Sequence, residues 1–84
     1  MVYNILITET AKKQLAKIDR QTAKRINKKL REISHEPFLY VSRLANLELY
    51  KLRVGDYRVL MSIQKVKLII IVVEISHRRN VYKW

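Results

Sequence analysis

The chain contains a single glycine, Gly55, and its setting fixes the middle of the fold. With Asp56 it separates Leu49–Val54 from Tyr57–Ile63, two short runs that read as strands. A two-residue Gly-Asp connection between such runs predicts a tight antiparallel hairpin. That register sets Val54 opposite Tyr57, Arg53 opposite Arg58 and Lys51 opposite Leu60. Directly opposed residues project from the same face of a sheet. Lys51, Arg53 and Arg58 therefore emerge on one side, with Tyr50, Leu52, Val54, Tyr57, Val59 and Met61 on the other. Like charges opposed across strands are destabilising, and a small domain gains by them only if an anion sits there. The bland alternative is a solvated face on which two long side chains splay into water.

The flanking segments follow from their periodicity. Val2–Ile7 is short and β-branched and predicts a strand. Thr8 is suited to cap a helix, with Glu9 in its first turn and Ala11, Leu15 and Ile18 at helical spacing. Asp19 can cap a second helix over Arg20–Ser34, whose apolar Ala23, Ile26, Leu30 and Ile33 step by three and four. Lys24, Arg25, Lys28, Lys29 and Arg31 stay outside. Pro37, the one proline, ends it. Phe38–Asn46 reads as a loop with a turn of helix near Leu44. After Gln64-Lys65 as a second turn, Lys67–Ser76 is rich in isoleucine and valine, as in a strand covered on both faces. The order is β-α-α-β-β-β, an α+β domain spanning 1–84, with an antiparallel sheet and a helical hairpin packed on one face.

Charge and composition narrow the chemistry. Eighteen Lys+Arg against seven Asp+Glu leave a net +11, which calls for a polyanionic partner. With no cysteine there is no disulfide, thiol nucleophile or Cys-type zinc site. His35 and His77 are too far apart in sequence for a short-range metal-ligand pair. One glycine is too few for phosphate-cradling loops. The longest apolar run, Leu68–Val73, falls well short of the roughly 20 residues of a membrane helix. The N-terminus lacks the basic region of a signal peptide, so a cytoplasmic protein without metal or cofactor is expected.

The tail, His77-Arg78-Arg79-Asn80-Val81-Tyr82-Lys83-Trp84, is basic and aromatic. It leaves the last strand near the Gly55-Asp56 turn, close to Arg53 and Arg58. Arginines supply bidentate donors for phosphate, and aromatic rings stack on bases. Arg78 suits such a site; Trp84 suits a staple of the C-terminus to the core.

Three segments together carry a resemblance. Leu49–Leu60 (LYKLRVGDYRVL), the strand Ile69–Ile75 and His77–Tyr82 (HRRNVY) resemble the RelE/ParE toxin superfamily, as does the strand and helical hairpin of the front half. The resemblance covers essentially the whole chain. In its RelE branch it implies a toxin that enters the ribosomal A site and cuts mRNA without a metal, the 2′-hydroxyl attacking the adjacent phosphate. By position, Lys51, Arg58, Arg78 and Tyr82 match the catalytic residues. Arg58 and Arg78 would hold the scissile phosphate, Lys51 would stabilise the departing 5′-oxygen, and Tyr82 would be the general base or a stacking platform. His77 is the other candidate base. Arg53, His77, Arg79 and Lys83 would bind RNA. The chain departs from the family pattern at Leu49, where a lysine is usual, and in a shorter spacing from Arg78 to Tyr82.

The resemblance also implies an acidic RelB-like antitoxin in a tight, heterotetrameric complex, and the ribosome and mRNA as partners. An amphipathic antitoxin helix would fit apolar grooves beside the helical hairpin. Two other functions share these features: a ParE-like inhibitor of DNA gyrase that cuts nothing, and a basic nucleic-acid-binding module without catalysis.

Overall fold

The structure, a computed structural model, describes residues 2–45 and 47–77. Strand β1 (Asn4–Ile7) leads into helix α1 (Glu9–Ala16) and helix α2 (Arg20–Ile33). A 3₁₀ turn (Pro37–Leu39) and the short strand β2 (Ser42–Arg43) follow, then β3 (Tyr50–Val54), β4 (Tyr57–Gln64) and β5 (Ile69–His77). The architecture is α+β, two helices on a five-stranded sheet of order β1-β5-β4-β3-β2.

Both helices start at the residues that the sequence marks. The Thr8 hydroxyl accepts from the Ala11 amide at 3.2 Å, and an Asp19 carboxylate oxygen accepts from the Thr22 amide at 3.0 Å. Each cap satisfies an amide that the first helical turn leaves without an intrahelical partner. Helix α2 turns Ile26, Leu30 and Ile33 onto Leu52, Val59, Met61, Ile70 and Val72, closing a single core on one face of the sheet.

The hairpin register is as the sequence predicts: Val54 pairs with Tyr57, Arg53 with Arg58 and Lys51 with Leu60. Gly55 has φ 57°, a left-handed conformation that costs a residue without Cβ little.

Four details differ from the sequence-based expectation. The sheet is mixed, because β1 runs parallel to β5, Ile5 beside Ile70 and Ile7 beside Val72. The β3-β4-β5 meander leaves the far edge of β5 open, and the long helical connection that β1 begins permits a parallel partner there. The alternation within β1 is the same for either direction, so local sequence carries no sign of it. Next, the segment after Pro37 is structured. Its helical turn lies at Pro37–Leu39 rather than near Leu44, and Phe38 packs edge-on against Tyr50 with ring centroids 5.3 Å apart. The turn before β5 also spans 65–68, with Leu68 at φ 54°, so the strand starts at Ile69. Finally, the helices cover β5 on one face alone. Its apolar character reflects a central place between β1 and β4, where Ile71 and Val73 are half-buried by neighbouring side chains.

Candidate nucleic-acid interface

The face of the sheet turned away from the helices carries the charge. Lys51 and Arg53 on β3 and Arg58 on β4 all project from it, with Arg53 and Arg58 directly opposed. The rows continue onto β5: Arg58 faces Ser76, and Leu60, beyond Lys51, faces Glu74. Leu60 and Ser76 are buried, Lys51 and Arg58 half-buried, Arg53 exposed. Aliphatic stems thus lie along a packed floor while the cationic heads reach outward.

None of the three cations has an anionic partner among the described residues. The ion pairs there join Lys12 to Glu9 and Lys29 to Glu32, both within helices. Two opposed guanidiniums and an ammonium on one face attract anions, and arginine's planar fork matches the geometry of phosphate oxygens.

A β-bulge shapes this face. Leu60 pairs with Glu74, but the next residue, Met61, pairs with Val72, leaving Val73 as an extra residue in β5. Along a regular strand Val72 and Glu74 would share a face. The bulge reverses the alternation, so Val72 and Ile75 both enter the core and Glu74 falls on the same face as the cations, one strand beyond Leu60. Helix α1 supports the bulge from beneath. The Thr8 hydroxyl donates to the carbonyls of Val72 and Val73 at 3.1 and 3.3 Å, and the Ile75 amide donates to Gln14 Oε1 at 2.6 Å. Sequence reasoning missed Glu74. Its one signal was a lone carboxylate in an otherwise apolar run.

His77 lies elsewhere. It pairs with Tyr57 on the helix side of the sheet, ring to ring at 5.1 Å, so the register separates it from Arg58. Arg78, Arg79, Tyr82 and Lys83 lie outside the described residues. Two clefts beside the helices are lined mainly by polar and basic residues, and a third, beside α1, includes Ile18, Tyr57 and Ile75. One, of about 330 Å³, is lined by Arg25, Lys28, Lys29, Glu32 and Arg53 with Val54 and Gly55. Another, of about 340 Å³, lies between Asp19, Thr22, Arg25 and the Gly55–Tyr57 turn, with His77 at its edge. The exposed side of α2 is mostly lysine and arginine, which explains the charge. Among the described residues no cluster of three metal-ligating side chains occurs, and no helix is long and apolar enough to cross a membrane.

Comparison with known proteins agrees with this architecture. The family model of the ParE toxin of type II toxin–antitoxin systems matches residues 5–82. The fold is similar to the RelBE2 toxin–antitoxin complex of Mycobacterium tuberculosis, with a TM-score of 0.87 and 22% identity over 93% of this chain and 100% of that one. It is also similar to the RelE–RelB complex of Pyrococcus horikoshii, with a TM-score of 0.82 and 24% identity over 96% of this chain and 100% of that one. A YoeB/ParE toxin from Agrobacterium tumefaciens matches with a TM-score of 0.75 and 13% identity, over 88% and 96% of the two chains. None of the curated proteins matches in sequence.

Proposed function

The chain belongs to the ParE toxin family of type II toxin–antitoxin systems, and from that premise we propose that it is a ribosome-dependent, metal-independent mRNA endonuclease that inhibits translation. The observation that carries this reading is the opposed pair Arg53 and Arg58 beside Lys51, without an anionic partner among the described residues. A scissile phosphate bound there would rest against cations already held in place by the sheet. Charge that develops on its oxygens in the transition state would be stabilised without reorganisation, a contribution of about 10²–10³ in rate per donor by analogy with oxyanion holes.

The roles follow from the chemistry. Arg58, with Arg78 from the tail, holds the phosphate; Lys51 serves the departing 5′-oxygen; Arg53, Arg79 and Lys83 hold the flanking RNA. Tyr82 offers a ring on which an unstacked base can rest. His77, on the opposite side of the sheet from Arg58, is better suited to the cleft beside Tyr57 than to the cleavage step.

The toxin acts in the cytoplasm, where its substrate is translated, and an acidic RelB-like antitoxin neutralises it in a heterotetrameric complex. Two similar structures are toxin–antitoxin complexes, and the basic cleft along α2 favours an acidic partner. The test is primer extension on mRNA translated in vitro with and without the protein. Cuts in register with the A-site codon, seen only with ribosomes, are expected.

A second reading, inhibition of DNA gyrase without catalysis, is favoured by the ParE description of the matching family and by the YoeB/ParE relative. Intact mRNA together with blocked supercoiling would select it.

A further inference from the structure

Arg53 belongs to the cationic face and also to a stretch of sheet edge that β2 leaves uncovered. Strand β2 pairs with β3 through Ser42–Lys51 and Arg43–Tyr50 alone. Before Ser42 the chain turns off at Tyr40, whose φ −114° and ψ −17° are not extended. The Leu44 amide donates to the Leu49 carbonyl at 2.9 Å, so Leu49 turns its backbone groups toward β2. Such groups alternate between the two sides of an antiparallel strand, so Lys51 and Arg53 share that edge with Leu49. Lys51 meets Ser42 there, but β2 has ended before it reaches Arg53. Among the described residues no loop or side-chain hydrogen bond reaches the Arg53 amide or carbonyl.

An uncovered edge is a template for another strand. The cleft of about 330 Å³ lies beside it, with Arg53 on one wall and Arg25, Lys28, Lys29 and Glu32 of α2 on the other. Glu32 pairs with Lys29 at 3.5 Å, which leaves Arg25 and Lys28, both exposed, without an anionic partner among the described residues. We propose that an extended acidic segment of the partner adds to β3 at Arg53 and places carboxylates in this cleft. The inference rests on the acidic-antitoxin reading and states how that partner docks. The partner residue opposite Arg53 accepts from the Arg53 amide and donates to its carbonyl. Its two chain neighbours point to the other face of the strand, toward α2, where carboxylates meet Arg25 and Lys28. A second copy of this chain is a poor occupant, because at net +11 each copy repels the other and a cation on an edge strand deters like pairing. A strand seated there lies along the Arg53 side chain, so the partner and a phosphate compete for one residue.

The test is amide hydrogen exchange on the full chain with an end-blocked peptide of alternating glutamate and valine, about eight residues long to match a typical strand. In the free chain the Arg53 amide should exchange faster than those of Leu52 and Val54, which face β4. With the peptide at about ten times its Kd, Arg53 exchange should slow about tenfold, since exchange proceeds from the free state. Methylating the valine nitrogens removes the donor to the Arg53 carbonyl, and affinity should fall about tenfold with loss of that protection. Methylated glutamate nitrogens face away from β3 and should change little. Lys28→Glu should weaken the unmethylated peptide by about fivefold. A peptide that binds without slowing Arg53, or binds equally well with its valine nitrogens methylated, overturns the docking mode and leaves the acidic partner standing. A chain that binds neither this peptide nor oligoglutamate overturns the acidic-partner reading, and the docking with it. If single-stranded RNA protects the Arg53 amide and the peptide does not, the edge belongs to the nucleic-acid path and the proposal falls.

Discussion

Arg53 and Arg58 stand directly opposite each other across β3 and β4, on the face of the sheet that the helices leave uncovered. Opposed like charges destabilise a sheet. Arg53→Gln should therefore raise the melting temperature at low salt, and the gain should shrink as salt screens the pair. Inorganic phosphate should stabilise wild type more than the variant, because a ligand that binds the folded state alone shifts unfolding by mass action. Thermal melts across ionic strength check both statements. A variant less stable than wild type at low salt would mean that the two guanidiniums do not repel.

Thr8 holds two elements at once, capping α1 through Ala11 and tying down the bulge through the Val72 and Val73 carbonyls. Loss of a threonine cap alone costs about 0.5–2 kcal/mol. Thr8→Ala should reach the upper part of that range and also slow cleavage, because the bulge sets how β5 lies against Arg58 on β4. Thr8→Ser keeps the hydroxyl and should restore most of both. Chemical denaturation and cleavage measured on the same preparations separate the effects. A Thr8→Ala protein that is destabilised yet fully active would show that the bulge does not depend on this hydroxyl.

The sequence revealed those parts of the fold whose causes are local. The caps at Thr8 and Asp19, the stripe Ile26–Leu30–Ile33 and the Gly55-Asp56 turn each depend on residues a few positions apart, and each formed as expected. The register of one hairpin brought Lys51, Arg53 and Arg58 together for the same reason. The parallel pairing of β1 with β5 depends on which sheet edge stays open after the meander forms, and no segment encodes that by itself. The bulge at Val73 was hidden because apolar residues run through both faces of β5, so the alternation whose break would have marked it is absent. Glu74 was missed with it, since its face depends on that one extra residue.

Asp19 sets one limit on stability in acid. Hydrogen bonds from Thr22, its hydroxyl first and its amide second, hold the Asp19 carboxyl below the ordinary 3.8. A folded-state value lower than the unfolded one adds stability above the unfolded value, and that stability is lost as pH falls through the folded one. Asp19→Asn keeps an acceptor at the cap but cannot titrate. The difference in melting temperature between the two proteins should be constant at neutral pH and shrink below about pH 4, where the aspartate begins to protonate. A difference that stays flat into acid would show that this carboxyl does not titrate against folding.

Gly55 occupies the left-handed region at φ 57°, and a Cβ there would sit 3.2 Å from Arg25 Nη1. The guanidinium is the end of a flexible chain and can yield, so the backbone term decides. Gly55→Ala should destabilise by about 1–2 kcal/mol. Gly55→Asn, whose side chain tolerates this conformation, should lose less. Equilibrium unfolding of the two variants gives the order, and an alanine variant as stable as the asparagine one would place the cost in the Arg25 contact.

Salt dependence will show how many phosphates the face engages. Binding to single-stranded RNA should weaken with salt at a log–log slope of roughly −0.7 for each phosphate contacted. Arg53 and Arg58 project from adjacent positions whose Cβ atoms lie about 4.5–5.5 Å apart in such a pair, close enough to clasp one phosphate between two guanidiniums. If they do, Arg53→Gln or Arg58→Gln alone should weaken binding while changing the slope little, since the remaining arginine still neutralises that phosphate. Only the double variant should make the slope shallower, by about 0.7. Lys51 belongs to the neighbouring row, and Lys51→Gln should make the slope shallower by about 0.7 by itself if it holds a second phosphate. Slopes that fall by the same step for each arginine singly, and by twice that step together, would mean that the two hold separate phosphates. The electrostatic strain between them would then have no shared ligand to relieve it.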